Sequence, residues 1–178
     1  MSEEDNRARF ADLVLPHLAD AYGLARALTG NRADAEDVVQ DACVRAFRAI
    51  DHVADGSARA WLLTIVHHTA YTWLRKNRPA VLVTVEDLEL VERTQASQNH
   101  NGVVTPEAAL ISKTDGIRLE AAIEALPPVF RETLVLRDLQ GLDYREIAKV
   151  TGVPVGTVMS RLARARSRLA AAIGTETP

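Results

Sequence analysis

A chain of 178 residues that is 47% apolar and 25% charged has room for one domain or two small ones and is too apolar to be wholly disordered. Its single cysteine, Cys43, excludes an internal disulfide framework and a thiolate-rich metal site. No run approaches the roughly 20 apolar residues of a membrane span, and residues 1–9 are too charged for a signal peptide, so a soluble cytoplasmic protein is expected. The net charge of −3 hides an uneven distribution. Residues 1–80 carry 10 basic against 11 acidic side chains, residues 81–116 carry 2 against 6, and residues 117–178 carry 9 against 7. Residues 161–168 hold four arginines and no acid, and it is local charge that attracts phosphate.

In chain order, Leu13, Val14, His17, Leu18, Ala21, Leu24, Ala25 and Leu28 recur at helical steps until Gly30-Asn31 breaks the run. A second helix is expected over 33–50, with Ala35, Val39, Ala42 or Cys43, Ala46, Phe47 and Ile50 as its apolar stripe. After a loop at 51–57 comes a third over 57–76, with Ser57 as N-cap, Leu62, Leu63, Val66, Ala70, Trp73 and Leu74 inward, and Pro79 as its stop. Residues 81–85 have the composition of a short strand, but the chain beyond them is acidic and then polar, with few apolar anchors. Residues 81–116 are read as a flexible acidic linker between domains at 1–80 and 117–178.

Beyond the linker, amphipathic helices are expected at 118–126 and 128–139, separated by Pro127-Pro128 and ended by Gly141. Asp143 and Glu146 form a capping-box pattern opening a short helix to Val150. Gly152 supplies a turn and Pro154 suits the first turn of a helix over 154–169. Ala148, Gly152 and Val158 stand where a helix-turn-helix needs a small crossing residue, a turn residue free to take positive φ, and an apolar dock. The fold is expected to be all-α: two small helical domains, the second a helix-turn-helix.

The last helix would turn Thr157, Ser160, Arg161, Arg164 and Arg168 outward, with Val158, Leu162 and Leu169 inward. Such a helix suits the major groove, where arginine reads guanine; the plainer alternative is a hairpin with a solvated basic face. Trp61, Thr64, His68, Tyr71, Arg75 and Arg78 form an outer stripe on the third helix, able to stack on unpaired bases or simply to pack on a neighbour. Asp37, Gln40, Asp41, Val44, Arg45 and Arg48 lie on the outer face of the second, where carboxylates ordinarily just meet water. Adjacent His67 and His68 point about 100° apart on a helix, a poor pair for one metal. Neither a phosphate loop nor a nucleophile–base set is present, so no enzyme, catalytic residue, metal or cofactor is expected.

Together, the Asp34–Asp41 stretch DAEDVVQD, Ala60-Trp61-Leu62, Leu126-Pro127-Pro128, the stretch LDYREIA ending at Ala148 and VPVGTVMSRLARAR ending at Arg166 resemble the extracytoplasmic-function sigma factors of bacteria. The resemblance implies an alternative sigma factor that binds core RNA polymerase through Asp37, Gln40 and Asp41. It implies recognition and melting of a promoter −10 element by Arg59, Trp61, Thr64, His67, His68, Tyr71 and Arg75. It also implies duplex reading of a −35 element by Thr157, Met159, Ser160, Arg161, Arg164 and Arg168. Met159 stands where the family usually has a cation, and His67-His68 replace the commoner Arg-Asn. The implied partners are core polymerase, promoter DNA and an anti-sigma factor. From the residues alone, a stand-alone dimeric helix-turn-helix regulator remains the alternative, and a sigma mimic is disfavoured by the arginine run.

Overall fold

The structure, a computed structural model, describes residues 2–54, 56–82, 90 and 113–174. Helix α1 (Glu3–Leu13) opens on a capping box in which Ser2 and Asp5 exchange side-chain-to-backbone hydrogen bonds. A 3₁₀ turn at Leu15–His17 leads into α2 (Leu18–Thr29), which ends on Gly30 in the left-handed region at φ 83°. Asn31 then caps α3 (Arg32–Arg48), accepting from the Asp34 amide. Helix α4 (Ala58–Asn77) starts at Ser57, as its spacing predicts, but the cap chemistry differs. The Ser57 hydroxyl donates back to the Ala54 carbonyl and accepts nothing from the first turn.

Helices α2, α3 and α4 form a bundle whose centre is built from small and aliphatic side chains in register: Ala21, Leu24 and Leu28 against Ala35, Val38, Ala42 and Ala46, and against Leu62, Leu63, Val66 and Ala70. The alanine-lined face of α3 allows close helix approach, and each buried leucine contributes about 1.5–3 kcal/mol. Helix α1 lies across this bundle, Phe10 meeting Phe47 edge to face at 5.6 Å. Arg9 ties α1 to the turn after α3 by donating to the Ile50 and Val53 carbonyls.

Val81 and Leu82, expected to begin a strand, are helical, and residues 83–85 with most of the linker lie outside the described residues. The C-terminal helices are α5 (Lys113–Glu124), α6 (Pro128–Leu134), α7 (Tyr144–Thr151) and α8 (Val155–Gly174). The helix expected over 128–139 changes character midway. It widens to a π turn at Val135–Leu139, with the Gln140 amide reaching back five residues to the Val135 carbonyl. Asp143 and Glu146 form the anticipated capping box, Gly152 takes φ 72°, and Pro154 sits just ahead of α8 rather than within its first turn. Asp143→Ala is expected to cost about 1 kcal/mol, read as a lowered urea midpoint at unchanged slope.

Leu126, Val129, Phe130, Leu134, Leu162 and Ala165 make a core of their own around α6 and α8. Leu136, Leu142, Ile147, Val150 and Val158, by contrast, belong to the same buried cluster as the N-terminal bundle. The two halves of the chain are therefore fused along α4 and α7. Between α2, α5 and the π turn runs an apolar cleft of about 460 Å³, with Tyr22, Ala27, Leu119, Ile123 and Leu139 among its walls.

Candidate nucleic-acid interface

On α3, Asp37, Gln40, Asp41 and Val44 fall at steps of three and four, so they share one stripe, and all four are exposed. Val44 is 48% exposed, an apolar spot beside two carboxylates. Arg45 approaches Asp41 to 3.1 Å, a solvent-facing pair one helical turn apart. Alanines and Val38 fill the opposite face, so burial of that face turns the acidic stripe outward.

The stripe of α4 meets a different fate. Arg59 donates to Asp20 at 2.7 Å and to the Gln140 carbonyl at 2.5 Å. Trp61 and Tyr71 are half-buried against the same core cluster as Tyr144, Ala148 and Val153 of the helix-turn-helix, and the Thr64 hydroxyl donates to the Ala60 carbonyl. His68 and Arg75 remain exposed. His67, expected on the DNA-facing set, is instead buried, because Glu132 of α6 sits directly opposite it. Its Nδ1–H donates to Glu132 Oε1, and the Tyr71 hydroxyl donates to Glu132 Oε2 at 3.4 Å.

Burial alone would push the His67 imidazole down, but the adjacent Glu132 carboxylate and its hydrogen bond outweigh both burial and the opposing charge of Arg161. The net direction is upward, towards the protonated form. His68 moves the other way, through its own partial burial and then the charge of His67, with Glu132 pulling weakly back.

On α8, Met159, Ser160 and Arg168 are exposed, while Thr157 and Arg164 are half-buried. Arg168 lies over the Phe130 ring, 4.9 Å from its centroid. Arg161 corrects the expectation of an outward side chain: it is 3% exposed, turned towards the His67–Glu132 pair whose field it alters. Arg166 is held by Asp138 through two hydrogen bonds, at 2.6 and 3.2 Å. Among the described residues no cluster of three or more His, Cys, Asp or Glu could hold a metal ion.

Two family models match the chain, sigma-70 region 2 over residues 13–80 and sigma-70 region 4 over residues 117–169. The chain is 36% identical to the RNA polymerase sigma-H factor of Pseudomonas aeruginosa, over 93% of this chain and 86% of that one. It is 31% identical to the ECF RNA polymerase sigma factor SigW of Bacillus subtilis, over 90% of this chain and 86% of that one. The chain belongs to the extracytoplasmic-function sigma factors. Members of this family are transcription-initiation factors, not enzymes. The similarity to the ECF sigma factor SigE of Mycolicibacterium smegmatis, 35% over 89% of this chain, spans 59% of that longer relative.

Among solved structures, the sigma factor RpoE in complex with the anti-sigma factor NepR from Bartonella quintana superposes with a TM-score of 0.68 at 27% identity, covering 94% of this chain and 98% of that one. CnrH in complex with the cytosolic domain of CnrY gives 0.62 at 28%, covering 94% and 89%.

The residues that join the halves of this sigma factor were not singled out from its sequence. Glu132 carried a signal, since it lies on the same helical face as the apolar Val129 and Leu136, where an acid must find a buried partner. Gly23 carried another. It interrupts an otherwise strong helix, and any Cβ there would stand 2.9 Å from Gln140 Nε2, the amide that donates to the Asp20 carbonyl.

Proposed function

We propose that this sigma factor directs core RNA polymerase to promoters through three surfaces carried by residues 1–80 and 117–178, with 81–116 as the tether. The observation that carries the reading is the α3 stripe, where Asp37, Gln40, Asp41 and Val44 stand together, exposed, on a rigid and well-packed helix. An acidic rim around an apolar spot suits a basic, partly apolar docking face on the polymerase. The aromatic and basic stripe of α4 serves the −10 element, stacking unpaired bases on Trp61 and Tyr71 while Arg59, His68 and Arg75 hold phosphate. Helix α8 serves the −35 element as duplex, with Thr157, Met159, Ser160, Arg164 and Arg168 as its reading set.

The matches of the region 2 and region 4 models to 13–80 and 117–169 support the division of labour. An anti-sigma factor is the regulatory partner, a reading supported by the likeness to RpoE in its complex with NepR. The site of action is the cytoplasm, in keeping with the lack, among the described residues, of any helix long and apolar enough to cross a membrane.

Size-exclusion chromatography with bacterial core polymerase tests the reading: co-elution at one to one supports it, and a free dimer that ignores polymerase favours the stand-alone regulator instead. A finer check addresses α8. In the holoenzyme, Arg164→Ala is expected to weaken binding to a −35 duplex by about 1–3 kcal/mol, and unchanged affinity removes Arg164 from the reading set.

A further inference from the structure

The first two turns of α8 present an uncharged surface. Of the four arginines on this helix, Arg161 is buried, and Arg164, Arg166 and Arg168 all lie beyond the second turn. Val155 is 36% exposed and Met159 52% exposed, with Gly156 and Ser160 exposed beside them. Four positions apart, Val155 and Met159 stand one above the other and make a continuous apolar edge. Gly156 answers no need within the fold. Its φ lies outside the left-handed region, and a Cβ there would meet no neighbour among the described residues within 4 Å. Glycine weakens a helix relative to alanine, and a bare backbone at an exposed position suits close approach by something outside the chain.

The N-terminal turns of a recognition helix are the part that meets base edges. In the major groove every base pair offers polar atoms, and the thymine C5 methyl is the one apolar group among them. We infer that the leading edge of α8 reads thymine methyls: Met159, seconded by Val155, packs on C5 methyl groups of the −35 element while Gly156 lets the helix backbone come close. The inference deepens the −35 assignment of α8 and rests on it. Methionine suits the task because its unbranched, polarizable chain adapts to the position of a methyl group. It has no donor, so a guanine set against it would lose water from O6 and N7 without replacement. The Ser160 hydroxyl donates to the Thr157 carbonyl at 3.1 Å, which leaves its oxygen to accept, as the adenine amine requires. Guanine recognition falls to Arg164, further along the helix.

The test uses holoenzyme assembled from the full chain and bacterial core polymerase. Binding selects a preferred duplex from a pool randomised over the −35 segment. That duplex is then resynthesised with deoxyuridine replacing each thymine in turn, which removes only the C5 methyl. The expected result is one or two thymines at which loss of the methyl weakens wild-type binding about three- to fivefold. Met159→Ala removes no core contact, because the side chain is exposed. It should bind the thymine duplex about three- to fivefold more weakly and be indifferent to deoxyuridine at the same position. Met159→Arg should exchange the selected thymine for guanine. Wild-type binding that ignores deoxyuridine at every position overturns the methyl reading, as does an equal deoxyuridine penalty in wild type and Met159→Ala. So does a Met159→Ala variant that co-elutes poorly with core polymerase yet keeps the wild-type deoxyuridine response, because the apolar edge then faces protein. Arg164→Ala separates this reading from the one beneath it. If that variant binds the duplex more weakly while deoxyuridine has no effect, the methyl contact alone fails; if neither change matters, the DNA assignment of α8 fails.

Discussion

Reversing Asp37 and Asp41 together to arginine is expected to abolish co-elution with core polymerase while leaving the fold in place. Both carboxylates are exposed on a helix whose other face is packed into the bundle, so the substitutions remove no core contact. The loss of the Asp41–Arg45 pair costs about 0.3–0.5 kcal/mol, and the new like charges one turn apart cost a similar amount. Unfolding should therefore move by about 1 kcal/mol at most. At an interface, opposing a cation with a cation costs several kcal/mol, and removing one member of a buried charged contact costs about 2–5 kcal/mol. Two such reversals correspond to a fall in affinity of roughly a hundredfold or more. Pull-down of core polymerase by the double variant at wild-type levels would sink the docking assignment. Val44→Ala separates apolar from electrostatic contributions: it should weaken binding modestly and leave its salt dependence unchanged.

The local architecture was legible because its signals act over a few residues. Asp143 and Glu146 cap one another three positions apart, and Gly152 is the residue that can take φ 72° without strain. The acidic stripe of α3 was legible for the same reason, since a period of 3.6 turns Asp37, Gln40, Asp41 and Val44 to one side. What could not be read was which surface of one half meets the other. His67 and Glu132 lie 65 positions apart, and nothing local to either histidine says that Glu132 will sit opposite one and not the other. Arg161 was expected outward because it belongs to an arginine run on an amphipathic helix. Its burial depends on α8 packing on α6, which brings Arg161 to the His67–Glu132 pair, an arrangement set by the fold as a whole. The π turn was illegible too: propensity favours continuing the α-helix through Val135–Leu139, and its widening serves the placement of Gln140 against Gly23.

The His67–Glu132 pair carries the second large effect. Removing one partner of a buried ion pair leaves the other uncompensated and costs about 3–5 kcal/mol, whereas replacing both by apolar groups of similar volume is often neutral or stabilising. His67→Leu alone is therefore expected to open the closed form, in which α7 packs on α4 and the two halves share one core, seen as a rise in radius of gyration at neutral pH. His67→Leu with Glu132→Leu should close it again. Equal compactness of wild type and both variants would remove the pair as a latch. The pH response has its origin in the same geometry. The groups facing His67 are Glu132 of α6, Arg161 of α8, and Tyr71 and His68 of its own helix. Because the closed state raises the His67 value above its ordinary level of about 6.5, the pair's contribution is fully present below that level and is lost as pH rises through the raised value. His68, whose value is lowered by partial burial and then by the charge of His67, opposes closure as pH falls through its ordinary level of about 6.5. Closure should thus be tightest in a mildly acidic window and should loosen towards alkaline pH. His67→Leu with Glu132→Leu should lose the alkaline limb. A scattering series across pH, run on wild type and on the double variant, reads the difference directly.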